Sequence, residues 1–283
     1  MTRPGTRPVV VGLLGDQPGL LDHAVGWARA LDAPLRVVHA WAIPLNTAED
    51  FEARELEGTF RSAAQGVLEG ARIRLERHDD LAISYEMSYG AASSILDNEG
   101  RTAALVVLGT DNTGWLGRVL GGAVARHVAL HAEAPVVVVP PDVAWVAPHL
   151  VVLAIDEPRT APGPATFALD VAMRSGAELE VVHVVDGGVA VAQRRAVLTD
   201  LDRWLEELRV AHPEVPMSTR LVAGGVADET AVASRDAQLV VLGRPRQHHL
   251  PLFDDRSIAA TMLRRTRCPV AVVPMAFETV ASS

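Results

Sequence analysis

The stretch Leu105-Val106-Val107-Leu108-Gly109 decides the fold, because the chain repeats it as Leu239-Val240-Val241-Leu242-Gly243, 134 residues later. A second stretch, Pro135-Val136-Val137-Val138-Val139-Pro140, recurs at the same spacing as Pro269-Val270-Ala271-Val272-Val273-Pro274. Short apolar runs that end in Gly or Pro are typical of β-strands buried on both faces of a parallel sheet. The repetition indicates two copies of one α/β unit.

Strands alternate with helical patterns in both copies. In the first copy we predict strands near 8–14, 35–41, 81–87, 104–108 and 135–139, with helices near 20–32, 47–78, 91–98 and 119–131. In the second copy we predict strands near 149–155, 179–185, 217–222, 238–242 and 269–273, with helices near 163–175, 190–210, 226–236 and 256–266. Such alternation produces parallel sheets with right-handed crossovers. We therefore predict an α/β protein of two tandem doubly wound, Rossmann-like domains, residues 1–142 and 143–283, each a five-stranded parallel sheet with helices on both faces.

Composition limits the function classes. The formal net charge of −9 argues against a general nucleic-acid binder, which needs a basic surface. The longest apolar runs have the length of strands, so no membrane span is expected. Cys268 is the single cysteine and residues 1–8 lack a signal-peptide core, so we expect a cytoplasmic protein without disulfides.

Ligands of open parallel sheets bind beyond the carboxyl ends of strands, where the strand order reverses. Gly109 and Gly243 directly follow the fourth strand of each copy, at that edge. A residue without Cβ lets a phosphate approach the backbone closely, and free N–H groups there can bind it. The pattern Gly109-x-x-Asn112-(nine residues)-Gly122-Ala123, followed by the strand 135–139, resembles the universal stress protein family.

The resemblance covers nearly the whole chain, as two tandem domains. Nucleotide-binding members of that family carry Gly-x2-Gly-x9-Gly-Ser/Thr after the fourth strand and an Asp at the end of the first. The resemblance implies a role in stress response or dormancy, with an adenine nucleotide, ATP or AMP, as the ligand. It also implies that backbone at the end of the second strand, at Ala40 and Val184, reads the base.

The first copy keeps part of the family's nucleotide pattern. Gly109 and Gly122 match its glycines, whereas Asn112 replaces the middle glycine and Ala123 replaces the Ser/Thr. Asn tolerates left-handed backbone better than most residues, so the loop can keep its shape. Leu14 stands where the family has its Asp. We expect any nucleotide site to lie mainly here, with loop amides and helix N-terminal amides facing the phosphates.

The second copy departs differently. Asp156, Gly243 and Ser257 match the family pattern, but Arg246 and Arg256 stand at the other two glycine positions. Two readings compete: the arginines close a vestigial site, or they bind an anion by ion pairing. Closure is the reading we favour.

Other candidate chemistry is weaker. His39 and His183 end equivalent strands, which indicates a hydrogen-bonded structural role rather than a catalytic base. The polar residues His248, His249, Asp254 and Asp255 match no metal-ligand spacing, so no metal is predicted.

Three functions therefore compete. The first is a non-catalytic stress protein that binds an adenine nucleotide without requiring it tightly. The second is a nucleotide-free protein-interaction module with both sites vestigial, and the third, ranked last for want of a general base or nucleophile, is a slow ATPase. The apolar last strands, 136–139 and 270–273, would be exposed edges, so we expect them to pair as an intramolecular pseudo-dimer. A homodimer through helical faces stays open.

Overall fold

The computed structural model describes residues 6–43, 52–110, 114–155, 162–185, 188, 190–244, 261–263 and 267–278. The chain divides into two compact units, Met1–Trp145 and Val146–Ser283. This division falls three residues after the boundary that the sequence predicts between 142 and 143, and the contacts of residues 143–145, described below, explain the shift.

The first unit is a five-stranded parallel sheet with the strand order β3-β2-β1-β4-β5. Its elements are β1 Val9–Leu13, α1 Pro18–Ala30, β2 Leu35–Trp41, α2 Glu52–Leu75, β3 Ile83–Tyr89, α3 Ala92–Gly100, β4 Leu105–Gly109, α4 Gly114–His131 and β5 Val136–Val139. α1 and α2 contact each other, as do α3 and α4, which places one helix pair on each face of the doubly wound sheet. The strands β1, β4 and β5 are almost completely buried, as their continuous apolar sequences predict.

The second unit repeats this order as β8-β7-β6-β9-β10, again with parallel pairs. Its elements are β6 Leu150–Ala154, α5 Pro162–Ser175, β7 Glu178–Val185, α6 Val191–Ala211, β8 Met217–Ala223, α7 Val226–Ala233, β9 Leu239–Gly243 and β10 Val270–Val273. Of the helix predicted near 256–266, only residues 261–263 are described, and they are helical. The predicted α/β fold with two tandem Rossmann-like repeats is confirmed.

Helix α4 differs from the prediction, because it begins at Gly114 instead of near Val119. Its glycines suggested a loop, and each glycine does cost a helix about 1 kcal/mol relative to alanine. The segment contains no proline, however, and Ala125, Val128 and Ala129 on its later turns are fully buried. We infer that this packing outweighs the propensity of the glycines.

The segment after β5 packs back on α1. His23 donates a hydrogen bond from Nε2 to the carbonyl of Val143 (3.0 Å). The indole of Trp145 lies edge-on to Trp27, with ring centroids 5.3 Å apart. Gly26 makes this contact sterically feasible, since a Cβ at that position would overlap the indole of Trp145. Residues 143–145 therefore belong to the first unit.

Among the helices that the structure describes, none combines the length and the apolar character needed to cross a membrane.

Candidate functional site

The carboxyl edge of the first sheet contains the point where the strand order reverses. β1 and β4 are neighbours there, with Gly12 opposite Leu108, and the chain leaves β1 toward β2 but leaves β4 toward β5. Crevices that bind ligands in doubly wound folds form at this position. This crevice is surrounded by the ends of β1, β2 and β4 and by the beginnings of α1 and α4.

Two buried histidines fix the strand ends in the same way in both units. Nδ1 of His39 donates a hydrogen bond to the carbonyl of Leu13 (2.9 Å), which ties the end of β2 to the end of β1. Nδ1 of His183 does the same with the carbonyl of Ile155 (3.0 Å). A carbonyl can only accept, so each ring carries its proton on Nδ1. The predicted structural role of the strand-end histidines is confirmed.

Ala40 lies where β2 extends beyond β1. The pairing of β1 with β2 ends at Leu13 and His39, whereas the pairing of β2 with β3 continues to Trp41. The carbonyl of Trp41 accepts a hydrogen bond from the chain after β3, at Gly90 N–H (2.9 Å). Backbone groups alternate sides along a parallel strand, so those of Ala40 face the β1 side, next to the crevice. This is the orientation that base recognition by its backbone requires.

Val184 has the corresponding place in the second unit. It is buried, and the carbonyl of the next residue, Val185, accepts a hydrogen bond from Gly224 N–H (3.0 Å). The same alternation therefore turns the backbone of Val184 toward β6. The two units agree in this part of the edge.

Gln17 fills part of the crevice of the first unit. It is the N-cap residue of α1, yet its side chain does not cap the helix. Its Oε1 instead accepts a hydrogen bond from Leu14 N–H (2.8 Å), and the side chain is nearly buried, at 8% exposure. Its Nε2 lies 2.8 Å from the point where a Cβ on Gly109 would stand. Gly109 thus gives Gln17 room at the end of β4.

Leu14, at the position of the family's Asp, is 45% exposed. The first crevice therefore lacks the carboxylate at this wall and presents an apolar side chain together with the amide of Gln17.

The start of α4 lies after Gly109, but it does not use the residues that the sequence predicts. Gly122 and Ala123 lie well inside the helix, whose first residue is Gly114. Their N–H groups therefore face carbonyls four residues earlier, and the described amides without an intrahelical partner at the helix start are those of residues 114–116. The prediction of helix N-terminal amides at Gly122 and Ala123 is wrong in this respect. Asn112 lies outside the described residues.

In the second unit the space beside Gly243 is filled by apolar groups. A Cβ on Gly243 would stand 2.8 Å from Sδ of Met275 and 3.3 Å from Cγ of Pro164. Met275 belongs to a segment, residues 274–278, that follows β10 and folds over the start of α5. We name this segment the C-terminal strap.

The C-terminal strap is held by specific contacts. The N–H of Gly163 donates a hydrogen bond to the carbonyl of Met275 (3.0 Å), and Phe277 packs edge-on to Phe167, with centroids 5.9 Å apart. A Cβ on Gly163 would overlap the carbonyl of Pro274. Among the described residues, the strap and Pro164 therefore occupy the space beside Gly243.

Asp156, Ser257, Arg246 and Arg256 lie outside the described residues, so the predicted roles of these four stay predictions. Within the ranges that the structure describes, no three His, Cys, Asp or Glu side chains are grouped to hold a metal.

Sequence reasoning missed Gln17 and Met275. The signal for Gln17 was its place directly before Pro18, since proline is common in the first turn of a helix and an N-cap precedes it. For Met275 the signal was weaker. It was the apolar stretch Met275-Ala276-Phe277, which follows the last predicted strand of the second copy.

Comparison with known proteins agrees with the fold of two tandem repeats. The sequence model of the Universal stress protein family matches residues 6–140 and 149–274. A universal stress protein of Mycobacterium tuberculosis (strain H37Rv) is 28% identical over 93% of this chain and 96% of its own length.

One solved structure is similar in fold over nearly the whole chain, and a shorter one matches about half of it. A universal stress protein from Archaeoglobus fulgidus has a TM-score of 0.72 at 16% identity, covering 94% of this chain and 96% of its own. A shorter one from Archaeoglobus fulgidus, in complex with dAMP, is 21% identical and covers 49% of this chain and 98% of its own, with a TM-score of 0.35. Because the family model matches both repeats, this chain belongs to the universal stress protein family.

Proposed function

We propose that this stress-response protein binds one adenine nucleotide per chain, at the carboxyl edge of the first unit, and works without catalysing a reaction. The observation that carries the proposal is the difference between the two crevices. Beside Gly109 stands the polar amide of Gln17, whereas beside Gly243 stand Met275 and Pro164. A polar crevice can exchange its hydrogen bonds with a ligand, and an apolar, filled one offers a phosphate nothing.

The first edge has the parts that a nucleotide needs. The backbone of Ala40 faces the crevice and can recognise a base, and the amides of residues 114–116, which lack an intrahelical partner, lie at the positive end of an 18-residue helix. Gly109, between them, leaves room for the amide of Gln17 at the end of β4. The adenine ligand class follows from the family resemblance of the loop, with the phosphate contacts moved from Gly122 and Ala123 to the start of α4.

A gain-of-function variant tests the location. Leu14→Asp restores the carboxylate that family members carry, at an exposed site that tolerates it, 45% accessible. One hydrogen bond from a ribose hydroxyl to this charge is worth about 1.5–3 kcal/mol, so we expect the dissociation constants of ATP and AMP to fall by about tenfold or more. Val191→Asp, at 74% exposure at the start of α6, is the control with the same added charge and should leave them unchanged.

Calorimetric titration of ATP and AMP measures both effects. Saturable binding with a stoichiometry near one, tightened by Leu14→Asp alone, supports the proposal. Absence of binding in both proteins would favour the nucleotide-free interaction module, which the near-complete burial of Gln17 also suits. Release of phosphate from ATP above a control without protein would instead show an ATPase.

A further inference from the structure

The side-chain amide of Gln17 is fixed at one end and free at the other. Its oxygen must be the atom that faces Leu14, because the backbone N–H there can only donate (2.8 Å). This orientation directs the NH2 group toward Gly109, where Nε2 lies 2.8 Å from the place of an added Cβ. Among residues 6–43, 52–110, 114–155 and the other described parts, none accepts a hydrogen bond from this NH2 group.

Gln17 is more than nine-tenths buried, but Nε2 is not among the buried side-chain atoms without a partner, so the NH2 group keeps access to the crevice. Its side chain makes no capping hydrogen bond at the start of α1. The amide oxygen therefore holds the turn before α1, and the NH2 group is an accessible donor beside Gly109.

We propose that Gln17 is a specificity-determining residue whose NH2 group donates a hydrogen bond to a phosphate oxygen of the bound ligand. This inference rests on the proposed function and adds which part of the ligand the first crevice selects. A phosphate oxygen is an acceptor only, which suits a donor held beside Gly109 at the positive end of α1. Leu14 removes the carboxylate that would attract ribose hydroxyls, so the edge selects the phosphate over the nucleoside.

The variant Gln17→Glu keeps the hydrogen-bond acceptor of the side chain and removes its donor. One carboxylate oxygen can still accept the hydrogen bond from Leu14 N–H, so the local fold is kept. The other oxygen replaces the donor with a negative charge that repels phosphate. Gln17→Met, of similar length, removes the donor without adding charge. Urea unfolding of both variants checks that they remain folded.

We expect the dissociation constants of ATP and AMP to rise at least tenfold in Gln17→Glu and several-fold in Gln17→Met. The weaker binding of adenosine should change less than twofold. Unchanged or tighter binding of ATP in both folded variants, with wild-type protein that binds ATP, would overturn the role of Gln17 and leave the proposed function intact.

If the wild-type protein binds no adenine nucleotide, the proposed function fails. Inorganic pyrophosphate then tests Gln17 by itself. Binding of pyrophosphate that Gln17→Glu abolishes would support the contact with phosphate, and absence of binding would overturn it.

Discussion

Exchanging glycine for alanine at the start of α5 should release the C-terminal strap. Gly163 and Gly19 are equivalent, because each follows the proline that opens the first helix of its unit. A Cβ on Gly163 would overlap the carbonyl of Pro274 and stand 2.7 Å from the backbone nitrogen of Phe277. A Cβ on Gly19 would meet only the carbonyl of Val143, at 4.0 Å. The same substitution therefore has opposite consequences at the two sites.

The magnitudes follow from these contacts. Either alanine gains about 1 kcal/mol at most from helix propensity. At Gly163 the overlap with backbone costs about 1–3 kcal/mol. Loss of the hydrogen bond to Met275 costs about 1 kcal/mol more, and loss of the contact between Phe167 and Phe277 about 0.5–1.5 kcal/mol. We expect Gly163→Ala to destabilise its unit by about 2–4 kcal/mol and Gly19→Ala to be neutral or slightly stabilising.

Hydrogen exchange read by mass spectrometry, together with urea unfolding, measures both effects. Gly163→Ala should speed amide exchange at the start of α5 and in residues 270–278, while peptides of the first unit keep the wild-type rates. Gly19→Ala should leave exchange unchanged everywhere. Equal stability of the two variants, with normal protection of residues 270–278 in Gly163→Ala, would refute the packing of the C-terminal strap.

Three further predictions concern buried groups. Burial lowers the pKa of His23, whose Nδ1 has no partner in the described structure, so the stability it supports is complete above pH about 6.5 and is lost as the pH falls below that value; urea unfolding at pH 7.5 and 5.5 should show the loss. His39→Ala leaves the carbonyl of Leu13 without its donor and should cost about 1–3 kcal/mol of unfolding free energy. Burial raises the pKa of Cys268 to about 11, so iodoacetamide at pH 7.5 should alkylate the folded protein at least about tenfold more slowly than the urea-unfolded one.

Matched variants check these three expectations. His23→Gln keeps a donor for Val143 but cannot titrate, so its stability should change less between the two pH values; an equal loss would contradict the role of His23. His149→Ala, at an exposed position, is the control for His39→Ala and should change stability by less than about 0.5 kcal/mol. Equally fast alkylation of Cys268 in folded and unfolded protein would contradict its burial.

The strands β4, β5, β9 and β10 were predictable because each is a short apolar run closed by Gly or Pro, and the repeat of Leu105–Gly109 at Leu239–Gly243 showed the duplication directly. Burial on both faces leaves a continuous signal that local sequence carries. The pair His39 and His183 was also predictable in role, because the same residue stands at the same strand end twice.

The contents of the two crevices were not predictable in the same way. Gln17 reaches Gly109 and Met275 reaches Gly243 through packing between elements far apart in the chain, which periodicity does not report. The predicted start of α4 was wrong for a related reason. The burial of residues such as Val128 outweighs the low helix propensity of the glycines. Closure of the second site was predicted from Arg246 and Arg256, whereas the described residues that fill it are Met275 and Pro164.

Hydrogen exchange with and without ATP tests the central claim, that the first crevice is available to a ligand and the second is filled by the chain itself. We predict that ATP slows amide exchange at the end of β1, near Leu14, and at the start of α4, and leaves the end of β9 at Gly243 and residues 270–278 unchanged. Protection centred on Gly243, or equal protection at both edges, would contradict the account.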